Sequence, residues 1–186
     1  MSLISKKGNA VANALKKSNP FPFQHWLFNM MGNQFTNQSY EIYKNRAIKK
    51  IDGLVGIESR VGHTWPNKHW GAYESLEKEI RALGYHVKNF QQRENIRDYF
   101  DDIASCSCVI CGDSLPMHVA LAYKIPCISI FNCTPPAEIH DYGILQKIVS
   151  PLLLSNLYSR TYNEKVVNSV NLEQVLNTFK NLALPK

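Results

Sequence analysis

Cys108-Val109-Ile110-Cys111-Gly112-Asp113-Ser114-Leu115-Pro116-Met117-His118 is the stretch on which the reading of this chain turns. Its first four residues are apolar without a break, the pattern of a strand covered on both faces. Gly112 then ends the strand, Asp113 or Ser114 is suited to cap a helix, and Pro116 fits that helix's first turn. The helix is expected over Ser114 to Tyr123, and Cys127-Ile128-Ser129-Ile130-Phe131 follows as a second, nearly continuously apolar strand. Strand, tight turn, helix and strand make one βαβ unit, which predicts parallel pairing.

Upstream the same alternation repeats. Leu54-Val55-Gly56-Ile57-Glu58 is a strand candidate, and a loop runs from it through Lys68. Tyr73, Leu76, Ile80 and Leu83 recur at helical spacing, with Gly84 placed for a left-handed cap. His86 to Phe90 is a weaker strand, and Ile96, Phe100 and Ile103 mark a further amphipathic helix. The expected architecture over residues 51–186 is α/β: a Rossmann-like parallel sheet with helices on both faces. Right-handed crossovers then gather the loops after the strands into one crevice. Asn171-Leu172-Glu173-Gln174 reads as a capping box opening a helix through Leu184. Residues 1–50 read as a separate N-terminal segment. It comprises a basic helix over residues 5–17, a break at Asn19-Pro20-Phe21-Pro22-Phe23, an apolar helix from His25 to Met31, and a polar linker over residues 33–50. Phe21, Phe23, Trp26 and Phe28 offer a surface for a homo-oligomer contact.

With 186 residues, 45% hydrophobic and 19% charged, the chain has globular composition. No window approaches the ~18 consecutive apolar residues of a membrane-spanning helix. Lys6 and Lys7 are not followed by an apolar stretch, so no secretory signal is expected and the location reads as cytoplasmic. The net charge of +6 suits an anionic ligand such as a nucleotide phosphate, or peripheral contact with an acidic inner-membrane surface. The basic residues form no stripe with interleaved aromatics, so nucleic acid is not an expected partner. Five cysteines, an odd count, argue against a disulfide scaffold. Cys106-x-Cys108-x-x-Cys111 has the spacing of a metal site, but Cys108 and Cys111 belong to the buried strand. Buried thiols are therefore expected, and no metal.

Three loops follow strands and face the expected crevice. Ser59 to Trp70 supplies hydroxyls, a glycine and cations ahead of a helix N-terminus, the groups that a diphosphate needs. The alternative there is a polar surface loop with Asn67 as a cap. Gln91-Gln92-Arg93-Glu94 stands where nucleotide folds contact base or ribose, or Glu94 simply improves a helix start. In Gly112 to His118, His118 lies a turn inside the helix and can lean back to donate to a phosphate or ribose. Asp113 would repel phosphate, which leaves sugar hydroxyls or capping as its work. Glu58 and Asp113 are the crevice carboxylates to test as a base.

Gly112-Asp113-Ser114-x-Pro116-Met117-His118-x-Ala120-x-Ala122, followed after a gap by Ile125-Pro126-Cys127-Ile128-Ser129-Ile130-Phe131 and Thr134-Pro135, resembles the signature of glycosyltransferase family 9, the ADP-heptose:lipopolysaccharide heptosyltransferases. Trp65-Pro66-Asn67-Lys68-His69-Trp70 looks like that family's Lys-Trp-Pro region. The resemblance runs over roughly residues 27–184 with gaps. It implies the carboxyl-terminal, donor-binding half of a GT-B glycosyltransferase. By it, Thr64 and Lys68 contact the diphosphate, Asp113 the sugar and His118 the phosphates, with Ser114 in the same donor site. The implied substrate is a nucleotide-diphosphate sugar, ADP-heptose first among them, and the implied acceptor a saccharide, a lipopolysaccharide or a protein. No cofactor is implied, and no metal, because a helix dipole and Lys68 can stabilise a departing diphosphate. Two departures stand out. The family usually has glycine where this chain has Leu115. Its acceptor domain and catalytic carboxylate precede this region, where only about fifty residues stand here. No catalytic residue is therefore assigned. A non-catalytic nucleotide-binding or interaction module, or an epimerase-type reaction on the same frame, are the alternatives.

Overall fold

In the computed structural model, which describes residues 14, 17–43, 45 and 47–185, five strands pair in parallel: β1 (Leu54–Glu58), β2 (His86–Asn89), β3 (Cys108–Gly112), β4 (Cys127–Phe131) and β5 (Leu145–Val149). Their order is β2-β1-β3-β4-β5. Val55 stands opposite Cys108, and Val109 opposite Cys127. The chain moves outward from β1 to β2, then crosses back to β3. The connections thus reverse direction between β1 and β3, and the carboxyl ends of those two strands flank the topological switch point.

The side-chain alternation of the central strands divides the core into two layers. On one face Val109, Cys111, Cys127 and Phe131 pack with α3 (Ile96–Ala104) and α4 (Leu115–Ala122). On the other, Val55, Ile57, Ile110, Ile128 and Ile130 pack with α2 (Tyr73–Ala82) and α7 (Leu172–Asn181). Every residue of β3 and β4 is buried, as near-continuous apolar runs covered on both faces require. The outer strand β2 has no fully buried residue, which explains its weaker sequence signal. Gly84 adopts φ +88° just after α2, the left-handed cap that its position predicts.

The N-terminal apolar run forms α1 (Phe23–Met30), and residues 33–50 carry no helix or strand among the described residues. The helix expected over residues 5–17 lies almost wholly outside the described residues. Three elements went unread in the sequence: β5, α5 (Leu153–Asn156) and α6 (Glu164–Val167). The C-terminal helix also differs in detail. Asn171 caps it by accepting from the N–H of Glu173, and the helix ends at Asn181. No reciprocal bond from Gln174 completes a box among the described residues. No helix of the described residues is long and apolar enough to cross a membrane.

Candidate functional site

The loop after β1 and the turn after β3 meet over the switch point. Pro66–Lys68 closes one 3-10 turn, which swings Lys68 back across the sheet. Its ammonium donates to the Asp113 carboxylate at 2.9 Å and to the Asp113 carbonyl at 2.7 Å. Gly112 makes this approach feasible: a Cβ there would stand 2.7 Å from the Lys68 carbonyl oxygen. Around the pair lies a cavity of about 220 Å³, lined by Arg60, Val61, Gly62, Thr64, Trp65, Lys68, Gly112, Asp113 and Ser114. Four of the five residues nominated from sequence, Thr64, Lys68, Asp113 and Ser114, therefore share one wall-to-wall space.

Neither Asp113 nor Ser114 caps α4. Ser114 occupies the N-cap position, but its hydroxyl donates back to the Gly112 carbonyl at 3.3 Å, and Asp113 is taken by Lys68. The helix N-terminus above the cavity thus keeps donors that no side chain has capped. His118 stands apart from the other four. It sits a turn into α4, partly buried, with the Tyr40 ring edge-on at 6.1 Å, and lines neither this cavity nor its neighbour. Burial pushes its pKa down, with Lys68 pressing the same way and Asp113 opposing.

A second cavity of about 610 Å³ adjoins the first, between the loops after β1 and β2 and the start of α4. Gln92, Arg93, Glu94 and Ile96 line one side, and Leu115 and Pro116 the other. Leu115 is 46% exposed, a side chain on the cavity wall rather than in the core. Glu94 sits ahead of α3, whose N-cap is Asn95. Arg60 borders both cavities. Glu58 accepts from Tyr99 and three times from Arg60, so it is bonded on all sides and poorly placed to serve as a base.

Three residues at this site were not read correctly from sequence. Arg60 counted as a loop cation and was not nominated, although Glu58-x-Arg60 on extended backbone puts both side chains on one side. Asn67 is no cap: it is buried, donates to Thr161 O at 2.7 Å and accepts from Asn163 N at 2.8 Å. Arg160, on the segment so held, lies 5.0 Å above the Trp65 ring, and no sequence signal marked it. All five cysteines are free and buried. Burial raises the Cys106 thiol to about 12 and that of Cys133 to about 11. Among the described residues no group of His, Cys, Asp and Glu is arranged to hold a metal.

Sheet order and the switch-point crevice, with its cation-bearing cavities, together define a Rossmann-like α/β domain. The chain belongs to glycosyltransferase family 9 (heptosyltransferase), whose family model matches residues 60–167. Among solved structures it is similar to the E. coli ADP-heptose lipopolysaccharide heptosyltransferase II, with 17% identity and a TM-score of 0.55 over 73% of this chain and 48% of that one. The E. coli heptosyltransferase WaaC, solved with ADP-2-deoxy-2-fluoro heptose, matches with 14% identity and a TM-score of 0.51 over 71% and 44%. These likenesses establish the shared fold, and the chain spans about half the length of either enzyme. No curated protein sequence matches the chain.

Proposed function

We propose that residues 51–186 form the donor-binding half of a GT-B heptosyltransferase, with residues 1–50 as an N-terminal segment ahead of it. In this reading a nucleotide-diphosphate sugar occupies the two adjoining cavities, and with an acceptor-binding half the enzyme transfers the sugar to a saccharide, lipopolysaccharide or protein acceptor. The observation that carries the reading is the Lys68–Asp113 pair, held at 2.9 Å in a cavity beneath an uncapped helix N-terminus at the switch point. A cation, a helix dipole and free backbone donors are what a diphosphate requires. Lys68 and Thr64 take the phosphates, Asp113 and Ser114 face the sugar hydroxyls, and His118 is an outlying donor to the phosphates through a neutral imidazole N–H. As the glycosidic bond breaks, Lys68 and the helix terminus stabilise the charge growing on the diphosphate. The family description, and the ADP-sugar bound to WaaC, support ADP-heptose as the donor. Five buried free thiols support a reducing, cytoplasmic setting. The excess of positive charge supports peripheral contact with an acidic membrane face.

The test is thermal. A ligand that binds the folded state alone raises the melting temperature, so millimolar ADP should raise it more than GDP or UDP. Lys68→Ala should remove most of that increment. If none of the three nucleotides moves the transition, the donor-site reading is wrong.

A further inference from the structure

The two cavities meet at Arg60, and the way that residue is held is not explained by packing. Glu58 ends β1 with only 6% of its surface exposed. It accepts from the Arg60 backbone N–H at 3.0 Å, from Nε at 2.9 Å, from Nη2 at 2.7 Å and from the Tyr99 hydroxyl at 2.7 Å. Four donors saturate the carboxylate and fix one edge of the guanidinium. The opposite edge, at Nη1, has no protein partner among the described residues, and the side chain is 42% exposed. Arg93, the other arginine at the larger cavity, is differently placed: Asp102 takes its Nε at 2.7 Å and its Nη2 at 3.1 Å, away from the junction. A carboxylate this close to an anion site weakens anion binding by charge alone. Its placement makes sense if orientation outweighs charge, since a planar fork held rigidly loses little freedom when it grips an oxyanion.

We propose that Arg60 is a donor-binding residue that spans the two cavities and takes the diphosphate on its outer guanidinium edge, with Glu58 and Tyr99 as positioning residues. The proposal rests on the donor-site reading above and adds a contact that reading does not contain. The nucleoside then lies in the 610 Å³ cavity and the sugar in the 220 Å³ one. The link between them passes the arginine.

Calorimetric titration of the whole chain with ADP and with adenosine separates the possibilities. Arg60→Ala should weaken ADP about tenfold or more, the scale of a charge-assisted contact, and leave adenosine unchanged. Arg60→Lys should recover little, because an ammonium cannot be held by the same fork. Glu58→Gln discriminates most sharply: charge alone predicts tighter ADP, whereas positioning predicts binding about threefold to tenfold weaker, with adenosine again unaffected. Tyr99→Phe should move in the same direction by less. The melting temperature of each free variant shows that it is folded. Glu58→Gln binding ADP as tightly as the parent overturns the positioning role. Arg60→Ala losing ADP and adenosine equally, or neither, overturns the contact. If the parent itself binds no nucleotide, the donor-site reading falls first, a result distinct from either of these.

Discussion

Single atoms decide how this site is built. At Gly112 the obstacle to a side chain is the Lys68 carbonyl, 2.7 Å from where a Cβ would stand. Backbone cannot swing aside as a flexible side chain can. Gly112→Ala should therefore cost about 1–3 kcal/mol and displace Lys68 from Asp113. Urea unfolding with an unchanged m-value checks the first effect, and a smaller ADP-induced rise in melting temperature the second. His118 gives a pH signature. Its folded pKa lies below the ordinary value because burial disfavours the charged ring. The unfolded chain then binds more protons between the two pKa values, so stability rises with pH there. The contribution is complete above about pH 6.5 and is lost as pH falls through the folded pKa. His118→Gln should flatten that part of the stability curve, and an unchanged slope would clear His118 of the effect. That the loops carrying Thr64, Lys68, Asp113 and Ser114 meet was legible because strand-end loops converge in a parallel sheet, while the family resemblance singled out these residues within them. The bracing of Arg60 was not nominated, since the residue type alone does not reveal that its carboxylate neighbour is buried.

Elements were legible in proportion to how fully the sheet covers them. β1, β3 and β4 announce themselves as apolar runs. β5 did not, because only Leu145 and Ile148 of its five residues are buried, and Gln146 and Lys147 between them interrupt any simple pattern. α5 and α6 are four residues each, too short to show a helical period. The segment between them is nonetheless tied to the site through Asn67. Asn67→Ala would leave the Asn163 N–H and the Thr161 carbonyl without their buried partner, at about 1–3 kcal/mol. The loosened segment carries Arg160, so trypsin should cut there sooner than in the parent. Equal cleavage rates would show that Asn67 does not restrain this stretch.

At the level of the whole molecule, the fold class followed from the strand–helix alternation, while the packing of the described residues ahead of β1 did not. Tyr40 and Ile48 pack against the α3–α4 face, Asn45 donates to Asp101 at 3.1 Å, and Ile51 N–H donates to Ser105 O at 2.9 Å. A chain beginning at residue 51 should keep its far-ultraviolet circular dichroism. It should melt lower by about 4–8 °C, corresponding to roughly 2 kcal/mol of lost burial; an unshifted transition would show that the segment contributes no stability. The opposite end binds the sheet more closely still. Trp70 Nε1 donates to Val170 O, Gly71 N–H to Val167 O, and Tyr85 to Leu184 O, each spanning about a hundred residues of sequence. During synthesis, then, the ribosome delivers β1 and the loop that follows it long before the residues that brace them from behind. A nascent chain halted before residue 159 has every strand and all of Thr64, Lys68, Asp113, Ser114 and His118, yet none of the partners that hold Asn67. The loop after β1 therefore gains its bracing only once residues about a hundred positions downstream have joined the fold.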